Sequence, residues 1–117
     1  MYYVSKRMEI AGAHRLDLPY ESKCSDLHGH NWIVTVYCRA RQLTDYGMVV
    51  DFKSLKKTVH DKLDHKYIND IVNFNPTAEN MARWIFHAVN AICPEGSDCY
   101  KVEVQESEGN IAVYEED

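Results

Sequence analysis

From Tyr3 to Leu16 the apolar positions fall on one parity: Val4, Met8 and Ile10, continued by Gly12 and His14. A period of two predicts a strand, because successive side chains point to opposite faces. A polar loop follows over Asp17–Leu27, with Pro19 and Ser25-Asp26 as turn formers. A second strand is predicted from His28 to about Arg41. There Trp32, Val34, Val36 and Cys38 alternate with Ile33, Thr35, Tyr37 and Arg39. Both sets are partly apolar, which predicts a sheet covered on two sides. Thr44-Asp45-Tyr46-Gly47 reads as a turn and Met48-Val49-Val50 as a short extended piece. The period then lengthens. Phe52, Leu55, Val59 and Leu63 recur at helical spacing behind Asp51, a plausible N-cap. Asp64 to Asn75 reads as loop. A second helix starts near Pro76-Thr77, capped by Asn75 or Thr77, with an apolar stripe of Met81, Trp84, Ile85, Ala88, Val89 and Ile92. Pro94-Glu95-Gly96 ends it. Tyr100, Val102 and Val104 then alternate, Glu108-Gly109-Asn110 turns, and Ile111 and Val113 return as a hairpin.

The predicted order is ββααββ: an α+β fold with a four-stranded antiparallel sheet and both helices on one face. The 117 residues show no repeat and no linker, so one domain over residues 1–117 is expected. A domain this small buries only about two-thirds of its unfolded surface, so association with copies of itself would help it. The net charge of −5, with both signs interspersed, argues against a general nucleic-acid binder. No apolar run reaches membrane-helix length and the first residues lack a signal-peptide core, so a cytoplasmic location is expected. Cys24, Cys38, Cys93 and Cys99 show no C-x-x-C spacing and are expected as free thiols, with Cys38 in the core.

The chemistry concentrates in the histidines. His28-Gly29-His30 opens the second strand, so both imidazoles project from one face. If the first two strands pair across the Asp17–Leu27 loop, His14 falls beside them. Three neutral imidazoles with an open fourth position suit a catalytic zinc, although an H-x-H also occurs by chance on exposed edges. Cys24, four residues before His28, is either a fourth ligand closing a structural site or a base beside an open one. Asp64-His65 ends the first helix. These two either merely terminate it or form a proton-transfer set with the thiol. His60, among lysines and aspartates, reads as solvated, and His87 as surface. Glu106 shares the parity of Val102 and Val104. It is either a solvated strand end or an acceptor for a ring with paired N–H donors, as a pterin or guanine offers.

Taken together and in order, these pieces resemble a known family. Ala11-Gly12-Ala13-His14, Cys24 through Asn31, Gly47 through Phe52, Leu63-Asp64-His65, Asn75 through Asn80 and Val104-Gln105-Glu106 are similar to the 6-pyruvoyl-tetrahydropterin synthase superfamily. Within it the chain looks most like the bacterial 6-carboxytetrahydropterin synthases of queuosine biosynthesis, because only three residues separate Cys24 from His28. The resemblance implies the T-fold, with three copies closing a 12-stranded barrel and two trimers stacking as a homohexamer. It implies zinc on His14, His28 and His30, a catalytic Cys24 activated by Asp64 and His65, and Glu106, Thr77 and Glu79 around the pterin. The implied substrate is 7,8-dihydroneopterin triphosphate. The implied products are 6-carboxy-5,6,7,8-tetrahydropterin, acetaldehyde and triphosphate, or a pyruvoyl product in the sister branch.

Overall fold

The computed structural model describes residues 1–117. Strand β1 (Tyr2–His14) and strand β2 (His28–Ala40) pair antiparallel without interruption from Tyr2↔Ala40 to His14↔His28. Two strands of equal length with one apolar parity each leave a single register that buries both, which fixes the hairpin. Strand β4 (Ser97–Ser107) adds to the other edge of β2, and β5 (Asn110–Tyr114) to β4, both antiparallel.

The sheet has five strands rather than four and is mixed: a two-residue strand β3 (Lys66–Tyr67) forms one edge, in the order β3-β1-β2-β4-β5. This extra strand runs parallel to β1 at Gly12 and Ala13. It is too short to leave any period. It forms because Gly12 has no side chain: a Cβ there would lie 3.0 Å from the Lys66 carbonyl oxygen. The segment read as loop also holds a one-turn helix, α2 (Ile68–Ile71), whose Ile68 is fully buried.

Helix α1 covers residues 52–63. It is α-helical over Phe52–Leu55 and Asp61–Leu63, with a π-helical turn over Lys56–His60 between them. Leu55, Val59 and Leu63 are buried at two successive spacings of four. On a regular helix that spacing drifts about 80° over eight residues, and the wider turn brings all three back to one face. Phe52 is half exposed. Asp51 caps the helix through Lys53 N, and Val49 and Val50 reach the core from bends rather than from a strand.

Helix α3 (Ala78–Asn90) starts behind Thr77, whose hydroxyl accepts from Asn80 N. Its buried stripe is Ala78, Met81, Ala82, Ile85, Phe86 and Val89. The expected row through Trp84, Ala88 and Ile92 is replaced by the row through Ala78, Ala82 and Phe86. Trp84 only flanks the core, and Ile92 lies beyond the helix end, exposed.

Both long helices pack into one cluster with Met8, Ile10, Trp32, Val34, Val36, Cys38, Val102 and Val104, so they cover a single face of the sheet. The other face is not covered within the chain. It carries Tyr37 bonded to Glu103, Lys101 over the Tyr37 ring, and Arg39 paired with Asp98. A bulge opposite Tyr37 and Cys38 makes Tyr100 an extra residue. Cys99 therefore enters the core, and Tyr100 turns out against Tyr3 and under the Arg39 guanidinium. No helix is long and apolar enough to cross a membrane.

Candidate metal centre and its surroundings

The β1–β2 register places His14 directly opposite His28, and His30 follows on the same face of β2. The ring centroids of the three histidines lie 4.5–5.0 Å apart. One nitrogen from each falls within 4.8 Å of the other two. His14 is fully buried, and Trp32 stands edge-on to both His14 and His30.

The hydrogen bonds show which nitrogens face inward. His14 Nδ1 lies 2.8 Å from the Pro76 carbonyl oxygen, and His28 Nδ1 lies 2.7 Å from the Asp26 carbonyl oxygen. A carbonyl only accepts, so both Nδ1 atoms carry the proton. In the neutral rings both Nε2 atoms are then bare, and they face each other at 2.9 Å. Two lone pairs at that distance repel unless a cation lies between them or one ring is protonated. Burial, reinforced by His28 and His30, pushes His14 below the ordinary histidine range, against the Pro76 carbonyl. Burial likewise lowers His30, against the Glu106 carboxylate. The neutral form, which ligates metal, is therefore favoured at both.

Two buried polar atoms here have no hydrogen-bond partner, His30 Nε2 and Trp32 Nε1. Glu106 Oε1 stands 3.5 Å from the former. Orphaned polar atoms are rare in a folded core, and two beside a three-imidazole cluster fit a group held there. The three histidines can hold a metal ion.

Asp64 and His65 follow α1. Asp64 Oδ1 accepts from Ala11 N at 2.9 Å, and its Oδ2 lies 2.7 Å from His65 Nδ1. The Ala11 N–H, and after it His65 and His60, hold the Asp64 carboxyl below the usual carboxylate range. His65 has a left-handed backbone, φ 58°, with its N–H on the Ala11 carbonyl and its ring 81% exposed. The two residues are thus in contact, beside the strand that carries His14.

Cys24 sits exposed on a one-turn 3₁₀ segment, Lys23–Ser25, with its N–H on Ser22 Oγ and its carbonyl accepting from Leu16 N. Its sulfur is not among the mutually close donor atoms, which stop at the three histidines. Glu106 and Glu79 both line a cavity of about 370 Å³, together with Ala78, Asn110 and Ile111. Thr77 spends its hydroxyl oxygen on the α3 cap. A larger cavity, about 710 Å³, opens at the far end of the sheet around Arg39 and Arg41 and touches none of these groups.

Sequence reasoning missed the groups that hold the site in place. Asn69 brackets Arg15 through its backbone N–H and carbonyl, and Asn75 brackets Asp17 in the same way. His60, read as solvated, turns its Nε2 toward Asp64 Oδ2 at 3.5 Å.

The sequence matches the family model of 6-pyruvoyl tetrahydropterin synthase over residues 3–117. The chain belongs to this family. It is 32% identical to the 6-carboxy-5,6,7,8-tetrahydropterin synthase of Bacillus subtilis, covering 97% of this chain and 84% of that one. It is 33% identical to the 6-pyruvoyl tetrahydrobiopterin synthase of Homo sapiens, covering 95% and 89%. Among solved structures, the 6-pyruvoyl tetrahydropterin synthase of Caenorhabditis elegans superposes with a TM-score of 0.78 at 29% identity, covering 99% of this chain and 96% of that one. The three-histidine cluster therefore lies in a chain of a tetrahydropterin synthase family.

Proposed function

We propose that residues 1–117 form one pterin-synthase domain that converts 7,8-dihydroneopterin triphosphate to 6-carboxy-5,6,7,8-tetrahydropterin, releasing acetaldehyde and triphosphate. The observation that carries this reading is the histidine triad. Two bare Nε2 atoms meet at 2.9 Å beside an orphaned third ring nitrogen, in a family of pterin enzymes. We assign zinc to His14, His28 and His30. Three imidazoles with a free fourth position suit it, and the ligand set does not extend to a closing sulfur. When bound there, zinc supplies Lewis acidity toward the hydroxyl oxygens of the substrate side chain.

The protein's own groups account for the remaining work. The Glu106 and Glu79 carboxylates share a cavity and can accept the paired N–H donors of a pterin ring; Thr77, which precedes the lining residue Ala78 in sequence, is assigned with them. Asp64 fixes the tautomer and aim of the His65 ring, whose free Nε2 can take up and return a proton. Cys24 is the second proton-transfer group, and its exposed loop suits access to a substrate bound between subunits. The proposed assembly is the barrel-forming trimer and its homohexamer. Support comes from the edge strand β5, where Ile111 and Val113 are each 52% exposed, and from the uncovered sheet face. The proposed setting is cytoplasmic.

The Homo sapiens relative is as similar as the Bacillus subtilis one, which favours a second reading on the same scaffold, the pyruvoyl product. Incubation of the purified protein with 7,8-dihydroneopterin triphosphate, followed by mass analysis, decides between them. Acetaldehyde with carboxytetrahydropterin supports the first reading, and a retained three-carbon side chain supports the second. In Cys24→Ala, zinc should be retained and turnover lost. Full activity in that variant removes the thiol from the mechanism.

A further inference from the structure

We propose that His60 is a positioning residue for the Asp64–His65 pair, its ring buttressing the carboxylate that aims His65. This rests on the reading of that pair as a proton-transfer device and adds a residue to it. The π-helical turn that keeps Val59 and Leu63 on one buried face places the residue after each of them, His60 and Asp64, side by side at the edge of that face. π-helical turns inside α-helices recur at functional sites.

The Asp64 carboxylate is held from three directions. Ala11 N–H from β1 meets Oδ1 at 2.9 Å, while His65 Nδ1 at 2.7 Å and His60 Nε2 at 3.5 Å converge on Oδ2. Behind His60, its Nδ1 lies 3.2 Å from Asp61 Oδ1, and that oxygen accepts from Lys56 Nζ at 2.9 Å. The result is a chain of contacts in which basic side chains alternate with carboxylates, Lys56–Asp61–His60–Asp64–His65. Both ends of His60 face carboxylate oxygens, so the ring is fixed in orientation rather than free in solvent, and its side chain is only 26% exposed. His65, by contrast, is 81% exposed and is not held by packing. Its aim depends on Asp64, and the aim of Asp64 depends on the Ala11 N–H and on His60. His60 touches none of the three metal-site histidines in this arrangement. It acts through Asp64.

The test uses His60→Leu and His60→Gln in the full chain, with circular dichroism to verify folding. Two readouts are taken: ¹³C titration of the Asp64 carboxyl without substrate, and steady-state kinetics on 7,8-dihydroneopterin triphosphate. Asp64 is expected to titrate below the ordinary carboxylate range in the native protein and to move up toward it in His60→Leu. In that variant kcat should fall about five-fold, the scale of one exposed charged contact, with KM changed less than about two-fold. His60→Gln can present an amide N–H toward Asp64 and should retain most of both. An unmoved Asp64 titration in the two folded variants overturns the proposal, as does a moved titration with an unchanged kcat. A native protein that leaves this substrate untouched, while Asp64 still moves in His60→Leu, sinks the reaction reading and supports the contact.

Discussion

Gly12→Ala tests whether the close approach of β3 to β1 is a structural requirement. Gly12 lies between His30 on one side and Lys66 on the other. A Cβ built on it meets the Lys66 carbonyl oxygen at 3.0 Å, the Trp32 Cζ3 at 3.1 Å and the Ile68 Cδ1 at 3.6 Å. The first is backbone, and the second is the edge of a fully buried ring, so neither can swing aside. Overpacking of this kind costs about 1–3 kcal/mol. Against it, removing a glycine from the unfolded chain gains about 0.4–1 kcal/mol. The net loss is about 1–2 kcal/mol, which for a chain of this length lowers Tm by about 4–8 °C. Gly29→Ala is the control. Its Cβ would meet only the Gly12 carbonyl oxygen, at 3.4 Å, an ordinary contact, so its stability should stay within about 0.5 kcal/mol of native. Thermal unfolding of the three proteins at one protomer concentration and one metal load measures both. Because the Asp64 carboxylate and the His65 N–H both bond to Ala11, Gly12→Ala should also lower kcat. A Gly12→Ala protein as stable as native, or a Gly29→Ala protein that loses as much, refutes the reasoning.

Three more outcomes follow from single groups. His28→Ala removes one of the two facing Nε2 atoms, and elemental analysis should find bound zinc falling from about one per chain to near zero; undiminished zinc removes His28 from the ligand set. In chelated, metal-free protein, burial depresses His14 and His30, so the unfolded chain takes up protons near its ordinary value of 6.5 before the folded one does. Urea midpoints should therefore be level above that pH and fall as the pH drops below it, and a midpoint flat between about pH 8 and 5 contradicts this. Tyr37, bonded to Glu103 and then by burial, is pushed up to about 12, so stability should decline as pH rises from about 10 toward that value. Burial also raises Tyr100, and Glu116 raises Tyr114, so absorbance at the tyrosinate band should show a late-titrating component from which Tyr37→Phe removes one tyrosine.

What the sequence made legible is what repeats. β1 and β2 each run thirteen residues with one buried face, long enough for a period of two to be unambiguous. The same parity puts His28 and His30 together, and the hairpin register adds His14. Thr77 and Asp51 were legible as caps because capping is local. Three things were not. The stripe of α3 was placed one row off, because Trp84 and Ile92 outweigh Ala78 and Ala82 in apolarity although the small residues face the sheet. The bulge at Tyr100 reverses parity at one residue, which no period shows, so Cys99 rather than Tyr100 reached the core. The groups that orient the His14 and His28 rings are carbonyls, of Pro76 and Asp26, and a backbone atom leaves no mark on composition.

One of these carbonyls, that of Pro76, belongs to a longer device. Asp64 to Asn75, read as loop, and Pro76 after it are the part of the chain that holds the end of β1 in place. Asp64 takes the Ala11 N–H, β3 pairs with Gly12 and Ala13, and the Pro76 carbonyl takes His14 Nδ1. Asn69 then brackets Arg15, and Asn75 brackets Asp17. From residue 11 to residue 17 the strand end and the residues after it are thus bonded along one side by a segment whose regular structure is only β3 and the single turn of α2. An imidazole at a fraying strand terminus would not keep a nitrogen 2.9 Å from its neighbour's. One bracketed on both flanks, with its own Nδ1 tied to a carbonyl, can. The polarity that made the segment look like a mere connection is what it needs for that task, since each bracket requires a side-chain amide, a carboxylate or a free backbone group.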